Sequence, residues 1–192
     1  MSGVAERTPG RRRPWLVGTL AGTIALLLIG LGFTLTLLIP GARAADSFSV
    51  PVGKPIIVTE QELRDYGRDN GTVYWAGARP DTQYELTRSS AGASFVRYLP
   101  DGVEVGSESK YLTVATYPQE RGYELLQESA NSSSMSSQKT TSGALVVINA
   151  QAPGSTYFSF ANANFQVEVF SPTKDESKDL VLDGNIKILG AK

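Results

Sequence analysis

The chain contains neither cysteine nor histidine among its 192 residues. Without cysteine there is no disulfide bond, even in a compartment that would permit one. Without histidine the sequence excludes Ser-His-Asp and Cys-His catalytic arrangements, and it lacks the Cys and His ligands of the usual zinc sites. We therefore expect no catalytic residue set, no metal site and no cofactor. A non-enzymatic role is favoured over an enzymatic one.

Most of the chain also lacks a surplus of basic residues. Residues 1–44 carry five basic side chains and one acidic side chain, whereas residues 45–192 carry 13 basic and 18 acidic ones. This division of charge indicates two regions in different environments. Because the larger region is acidic overall, we expect no nucleic-acid partner.

One stretch without charge is long enough to cross a membrane as a helix. It covers the 25 residues 15–39 and follows three arginines and Pro14. At about 1.5 Å per residue, such a helix spans a hydrocarbon core of ~30 Å. The arginines predict a cytoplasmic basic tail at 1–14 and an extracytoplasmic C-terminal part. The alternative is a signal peptide cleaved near Ala44, which would release a secreted protein, but 25 residues exceed the usual apolar length of such peptides.

Gly18 and Gly22 lie four residues apart in the predicted transmembrane helix. Small residues at this spacing let two helices approach closely, so both are candidates for helix packing and for a homodimer. Glycine is common in membrane helices, and a lone pair is also consistent with a single helix.

The remaining chain predicts one domain of the α+β class. Residues 40–54 form a juxtamembrane linker, and residues 55–192 form an antiparallel β-rich extracytoplasmic domain with one or two short helices. Thr59 and Glu62 have the spacing of a capping box, which predicts a helix at 60–67. A second helix is predicted within 120–130.

Two further segments near the middle and the end of this domain are assigned by composition and turn signals. The serine-rich stretch 129–143 has little apolar content and predicts a mobile loop. The stretch 180–189 contains Asp183-Gly184, which is typical of a tight turn and predicts a hairpin.

Tyr74, Trp75 and Arg79 form the candidate ligand site. The two rings offer stacking surfaces, and the guanidinium offers a partner for an anion. The alternative interpretation is a strand, a turn and a strand whose aromatic residues fill the core, and it is favoured because aromatic residues on sheets mostly pack.

A group of carboxylates near the C-terminus gives a weaker candidate. Paired carboxylates can hydrolyse a glycan without histidine, and clustered ones can hold calcium weakly. Their polar surroundings and neighbouring lysines favour a solvated surface. The residues are Asp175, Glu176, Asp179 and Asp183.

Several segments together resemble a family of uncharacterised, single-pass, membrane-anchored proteins of actinobacteria. The segments YWAGARP, YELT, VRYLP and LTVATYP fall within residues 72–118, and a looser likeness covers 144–189. The resemblance implies a location in the cell envelope and brings no activity.

These observations favour a membrane-anchored extracytoplasmic module that binds an envelope protein partner or serves as an accessory subunit. A small-ligand or glycan-binding domain is the alternative. A carboxylate-based hydrolase is a third interpretation.

Overall fold

A computed structural model describes residues 48–189, which form an antiparallel β-rich domain with three helices. This confirms the α+β class, with one helix more than the sequence predicts. The predicted basic tail and transmembrane helix, together with Gly18, Gly22 and Ala44, lie outside the described residues. Within residues 48–189, no helix combines the length and apolarity that crossing a bilayer requires.

Ten strands and three helices follow one another along the chain. The helices are α1 (Glu60–Asp69), α2 (Gly122–Ser129) and α3 (Glu176–Leu182). The strands are β1 (Ile56–Val58), β2 (Tyr74–Trp75), β3 (Thr82–Arg88), β4 (Ser94–Pro100), β5 (Thr113–Pro118), β6 (Met135–Lys139), β7 (Leu145–Asn149), β8 (Ser155–Ser159), β9 (Phe165–Phe170) and β10 (Lys187–Ile188).

Eight strands form one sheet in the order β1-β3-β4-β5-β9-β8-β7-β6, while β2 and β10 form a separate ribbon. Every neighbouring pair in the sheet is antiparallel. Strand β9 is central, because it pairs with β5 of the first meander and with β8 of the second.

The two faces of the sheet are covered differently. One face, which we call the core face, carries Val96, Val114 and Val167. Helices α1 and α3 and the β2–β10 ribbon pack on this face and form the main apolar cluster with it. The open face carries Arg97, Ala115 and Glu168 on the same strands, since strand side chains alternate between faces. Helix α2 packs on the open face through Leu126, which joins Leu145 and Val147 in a smaller cluster.

Helix α1 begins at the capping box that the sequence predicts. The Glu62 N–H donates to Thr59 Oγ1 at 3.2 Å, and the Thr59 N–H donates to Glu62 Oε2 at 2.7 Å. The two bonds satisfy backbone donors that a helix start leaves without partners. The helix then buries Leu63 and Tyr66 against the core face.

The predicted loop at 129–143 is wrong for Met135–Lys139, which form the edge strand β6. Its backbone pairs with β7 from Met135↔Asn149 to Lys139↔Leu145. Strand β6 lies at the edge of the sheet, where it has a neighbouring strand on one side only. Its polar side chains are mostly exposed to solvent and need no apolar surroundings. Composition alone therefore concealed a strand that backbone pairing stabilises.

The predicted hairpin at 180–189 is also wrong for its first half, which is the end of α3. Val181 is buried in the core, and Asp183-Gly184 ends the helix instead of joining two strands. Gly184 has a φ of 70°, and its N–H donates to Val181 O at 3.2 Å. This is a common helix C-terminus. Strand β10 then pairs with β2.

Helix α2 starts in direct contact with the backbone of β9. A Cβ added at Gly122 would lie 2.3 Å from Phe165 O and 2.8 Å from Phe165 C. Gln166 Nε2 donates to Gly122 O at 2.9 Å, and the Gly122 N–H donates to Ala163 O at 3.2 Å. The position therefore has room for a hydrogen and for nothing larger.

We predict that Gly122→Ala lowers the free energy of unfolding by about 2–3 kcal/mol, because backbone atoms must move apart to admit the methyl group. Denaturant unfolding of the purified protein, followed by near-UV circular dichroism, measures the change. Gln127→Ala, at an exposed position of the same helix, should stay within about 0.5 kcal/mol of wild type. Equal stability of the two variants would contradict the close contact.

Candidate functional site

The open face has a buried carboxylate at its centre. Glu168 of β9 is 7% exposed and lies between Ala115 of β5 and Tyr157 of β8. Its sequence neighbours Val167 and Val169 are fully buried on the core face. The alternation along one central strand therefore places a carboxylate directly behind the main core.

Three hydroxyl groups donate hydrogen bonds to this carboxylate. Ser155 Oγ and Tyr157 Oη donate to Glu168 Oε1 at 2.7 and 3.0 Å, and Tyr117 Oη donates to Glu168 Oε2 at 2.9 Å. All three donors are neutral, and no ion pair among residues 48–189 includes Glu168. Hydrogen bonds to an ionised group are strong and offset part of the cost of burying it, but they bring no opposite charge.

Aromatic rings surround the carboxylate on the same face. Phe95 and Tyr117 pack edge to face with their ring centroids 5.7 Å apart. Both are half-buried, as is Phe170 on β9 itself. Ala115, the cross-strand neighbour of Glu168, has a short side chain and is 3% exposed. We call the group Phe95, Tyr117, Tyr157, Glu168 and Phe170 the Glu168 cluster.

A second buried carboxylate on the open face has a different environment. Glu85 of β3 is 1% exposed, and Arg97 Nη1 donates to its Oε1 at 2.5 Å. The Gly106 N–H donates to Glu85 Oε2 at 2.5 Å. Arg97 Nη2 also donates to Ser107 O at 2.8 Å and to Ser109 O at 3.0 Å. Glu85 is thus neutralised, and its ion pair fastens the β4–β5 loop over the sheet.

Burial and the neighbouring charge keep the tyrosines of the cluster protonated. Burial, followed by the repulsion from the Glu168 carboxylate, raises the pKa of Tyr157 to about 12. The same two causes, in the same order, hold the pKa of Tyr117 far above its ordinary value of 10.0. Both hydroxyls therefore remain hydrogen-bond donors to Glu168 throughout the physiological range.

We predict a loss of stability in alkali that is linked to Tyr157. The phenol ionises near pH 10 in the unfolded chain and near pH 12 in the folded one, so folding favours the protonated form. Its stabilising contribution is complete below about pH 10 and is lost as the pH rises through about 12. An absorbance titration of phenolate in the folded protein, compared with Tyr157→Phe, measures it. Ionisation of this residue near pH 10 with the fold intact would contradict the burial.

The structure places the three residues of the predicted ligand site within packing contacts. Tyr74 is 5% exposed, with its ring centroid 5.3 Å from that of Phe158. Trp75 is 3% exposed and packs on Tyr84, with centroids 6.0 Å apart. The interpretation of this region as a strand and a turn that fill the core therefore accounts for both rings. Binding of a ligand here stays a prediction.

Arg79 makes an ion pair that joins the β2–β3 loop to α3. Its Nη1 lies 2.9 Å from Glu176 Oε1, and its guanidinium lies 5.5 Å from the centroid of the Tyr98 ring. Burial opposes ionisation of Glu176, but hydrogen bonds from Ser171 and Arg79 outweigh it, and the net effect lowers the pKa of Glu176. The carboxylate segment predicted to be solvated therefore contributes one partly buried residue to the fold.

We predict that Arg79→Ala lowers the free energy of unfolding by about 1 kcal/mol, because it removes a partly shielded ion pair and a cation–π contact. Arg68→Ala, whose side chain is 55% exposed in its pair with Asp65, is the matched control and should change little. Thermal unfolding of both variants compares them. A loss that is equal at the two positions would contradict the role of Arg79 in docking α3.

Two shallow depressions lie away from the Glu168 cluster. One, of about 570 Å³, has Trp75, Arg64 and Lys187 among its lining residues. The other, of about 450 Å³, lies at one end of the sheet and has no ionisable lining residue. The polar residues that line this end cleft are Asn70, Thr72, Ser94, Thr116, Asn162 and Asn164.

Sequence reasoning missed Glu168, although a weak local signal exists. In the run Phe165–Phe170 the polar residues Gln166 and Glu168 alternate with valines, which is typical of a strand with one solvated face. The burial of Glu168 depends on hydroxyls from β5 and β8, and Tyr117 lies 51 residues away in the chain. No local pattern contains that information.

Comparisons with known proteins add no family assignment. No protein-family model, curated protein or solved structure matches the chain.

Proposed function

We propose that the protein is a membrane-anchored, extracytoplasmic module of the cell envelope that binds a protein partner through the open face. The observation that carries this proposal is Glu168, a buried carboxylate that forms no ion pair with any residue of 48–189 and lies among half-buried aromatic rings on the open face. Buried charges in proteins are normally paired. A partner that brings the opposite charge would complete the arrangement.

The proposed location rests on the sequence. The uncharged segment 15–39 behind three arginines supports a retained anchor with its N-terminus in the cytoplasm. The opposite charge balances of residues 1–44 and 45–192 support two environments. The resemblance to membrane-anchored actinobacterial proteins is consistent with the same placement.

The composition of the open face supports a protein partner. Phe95, Tyr117, Tyr157 and Phe170 are partly accessible, and aromatic residues are enriched where proteins bind one another. The polar group lies at the centre of these rings, where a partner would exclude water and strengthen an electrostatic contact. Helix α2 and the β4–β5 loop border the region on its two sides.

The end cleft favours a second candidate function, the binding of a small neutral ligand such as a glycan. Its volume of about 450 Å³ falls within the ~300–1,000 Å³ of typical ligand sites. The side chains of Thr72, Asn162 and Asn164 make no hydrogen bond with the described residues, and amides both donate and accept. An uncharged lining suits a ligand that carries hydroxyl groups and no charge.

Site-directed photo-crosslinking of the tagged full-length protein in cells tests the leading proposal. A photoreactive phenylalanine analogue at Phe95 should capture one partner in nearly equal amount in the membrane fraction, because Phe95 lies within the proposed interface. The same analogue at Gln61, exposed on α1, is the control and should capture none. Equal capture at both positions, or no capture at Phe95, would contradict the proposed interface.

A further inference from the structure

The Glu168 cluster also indicates which chemical group the partner presents, an inference that rests on the proposed function. Each carboxylate oxygen accepts about two hydrogen bonds. Glu168 Oε1 already accepts two, from Ser155 and Tyr157, whereas Oε2 accepts one, from Tyr117. One acceptor position on Oε2 is therefore open. We propose that it receives the ammonium group of a lysine side chain from the protein partner.

Among residues 48–189, no cationic side chain forms an ion pair with Glu168. Arg97 shares the open face, but its guanidinium is committed to Glu85, Ser107 and Ser109. Lys139 lies on the edge strand β6 of the same face, with its Nζ 5.9 Å from the centroid of the Tyr123 ring. The three donors on Glu168 are uncharged. The Glu168 carboxylate is already desolvated in the folded protein, so binding of a cation would incur no further desolvation cost for this carboxylate. The rings of Phe95 and Tyr117 add a favourable surface for a cation.

The number of open positions distinguishes lysine from arginine. A guanidinium binds a carboxylate best through two parallel hydrogen bonds, one to each oxygen. Because Oε1 is filled, a guanidinium can make only one of the two. An ammonium is a compact charge that needs one position on the carboxylate and can direct its other donors elsewhere.

Gln166 offers a second acceptor for the ammonium group. It lies two residues before Glu168 on the same face, and its amide nitrogen donates to Gly122 O at 2.9 Å. Its amide oxygen accepts no hydrogen bond from the described residues. Tyr117 is its direct cross-strand neighbour. The open face therefore presents one charged and one neutral acceptor on the same side of one strand.

A titration of the full-length protein in detergent micelles with Nα-acetyl-lysine methylamide tests this inference. With the tyrosine rings isotopically labelled, the resonances of Tyr117 and Tyr157 should shift saturably. The norleucine analogue, which lacks the ammonium, should cause no saturable shift, and the arginine analogue should bind about tenfold more weakly. A norleucine response equal to that of lysine, tighter binding of arginine, or no response to lysine would overturn the inference.

Matched variants connect the response to the carboxylate. Glu168→Gln keeps the shape and removes the charge, so the saturable shift should disappear. Glu120→Gln removes an exposed charge near the end of β5 and should leave the shift unchanged. Gln166→Met keeps both tyrosines and Glu168, and it should weaken binding severalfold. It also provides a readout if Glu168→Gln loses its near-UV circular dichroism. An unchanged lysine response in Gln166→Met and Glu168→Gln would contradict the proposed contact.

The failure of this inference is distinguishable from the failure of the proposed function. A partner captured through Phe95 with equal yield in wild type and Glu168→Gln would exclude the lysine contact and leave the interface in place. A lysine response without any capture at Phe95 would instead contradict the proposed interface.

Discussion

The alternation of side chains along β9 is the constraint on which the rest of the structure depends. Val167 and Val169 are fully buried on the core face, while Gln166 and Glu168 belong to the open face. A shift of the pairing by one residue would place the carboxylate in the core and both valines on the opposite side. The hydroxyls of Tyr117 on β5 and Ser155 on β8 reach Glu168 only in the observed register. The polar contact and the apolar core therefore specify the same pairing.

The three helices cover the two faces of the sheet unequally. Helices α1 and α3 cover the core face, whereas α2 packs over β7 through Leu145 and Val147 on the opposite face. At the other end of that face, the Glu85–Arg97 ion pair holds the β4–β5 loop over β3 and β4. Helix α2 also reaches β9, because Gly122 contacts the backbone of Phe165 and accepts a hydrogen bond from Gln166. Glu168 lies on the same strand, and its cluster therefore adjoins the start of α2.

Local patterns predict those parts of the fold that local contacts determine. The capping box at Thr59 predicts the start of α1, and the apolar spacing within 120–130 predicts α2. Strand β6 was not predicted, because it is stabilised by backbone pairing with β7 and not by apolar side chains. The turn that joins β6 to β7 nevertheless carried a sequence signal. The turn at Thr140–Ala144 has the same hydrogen bonds as the turn at Ser89–Ala93, in which a hydroxyl accepts from the N–H four residues later. The Glu168 cluster had no comparable signal, because its members come from four strands that only tertiary folding brings together.

The contrast between Glu85 and Glu168 is the strongest reason to regard the cluster as functional. Both carboxylates are buried on one face of one sheet, so both incur the cost of desolvation. The Glu85 carboxylate is paired with Arg97 and accepts a hydrogen bond from Gly106 in the β4–β5 loop, so its role is structural. Glu168 accepts hydrogen bonds from neutral donors only, and an apolar residue in its place would leave three hydroxyls without this acceptor. The carboxylate therefore has a structural role in joining β5, β8 and β9, but its charge has no counterpart among residues 48–189. A cationic group from the proposed partner would balance that charge, which the hydroxyls alone cannot do.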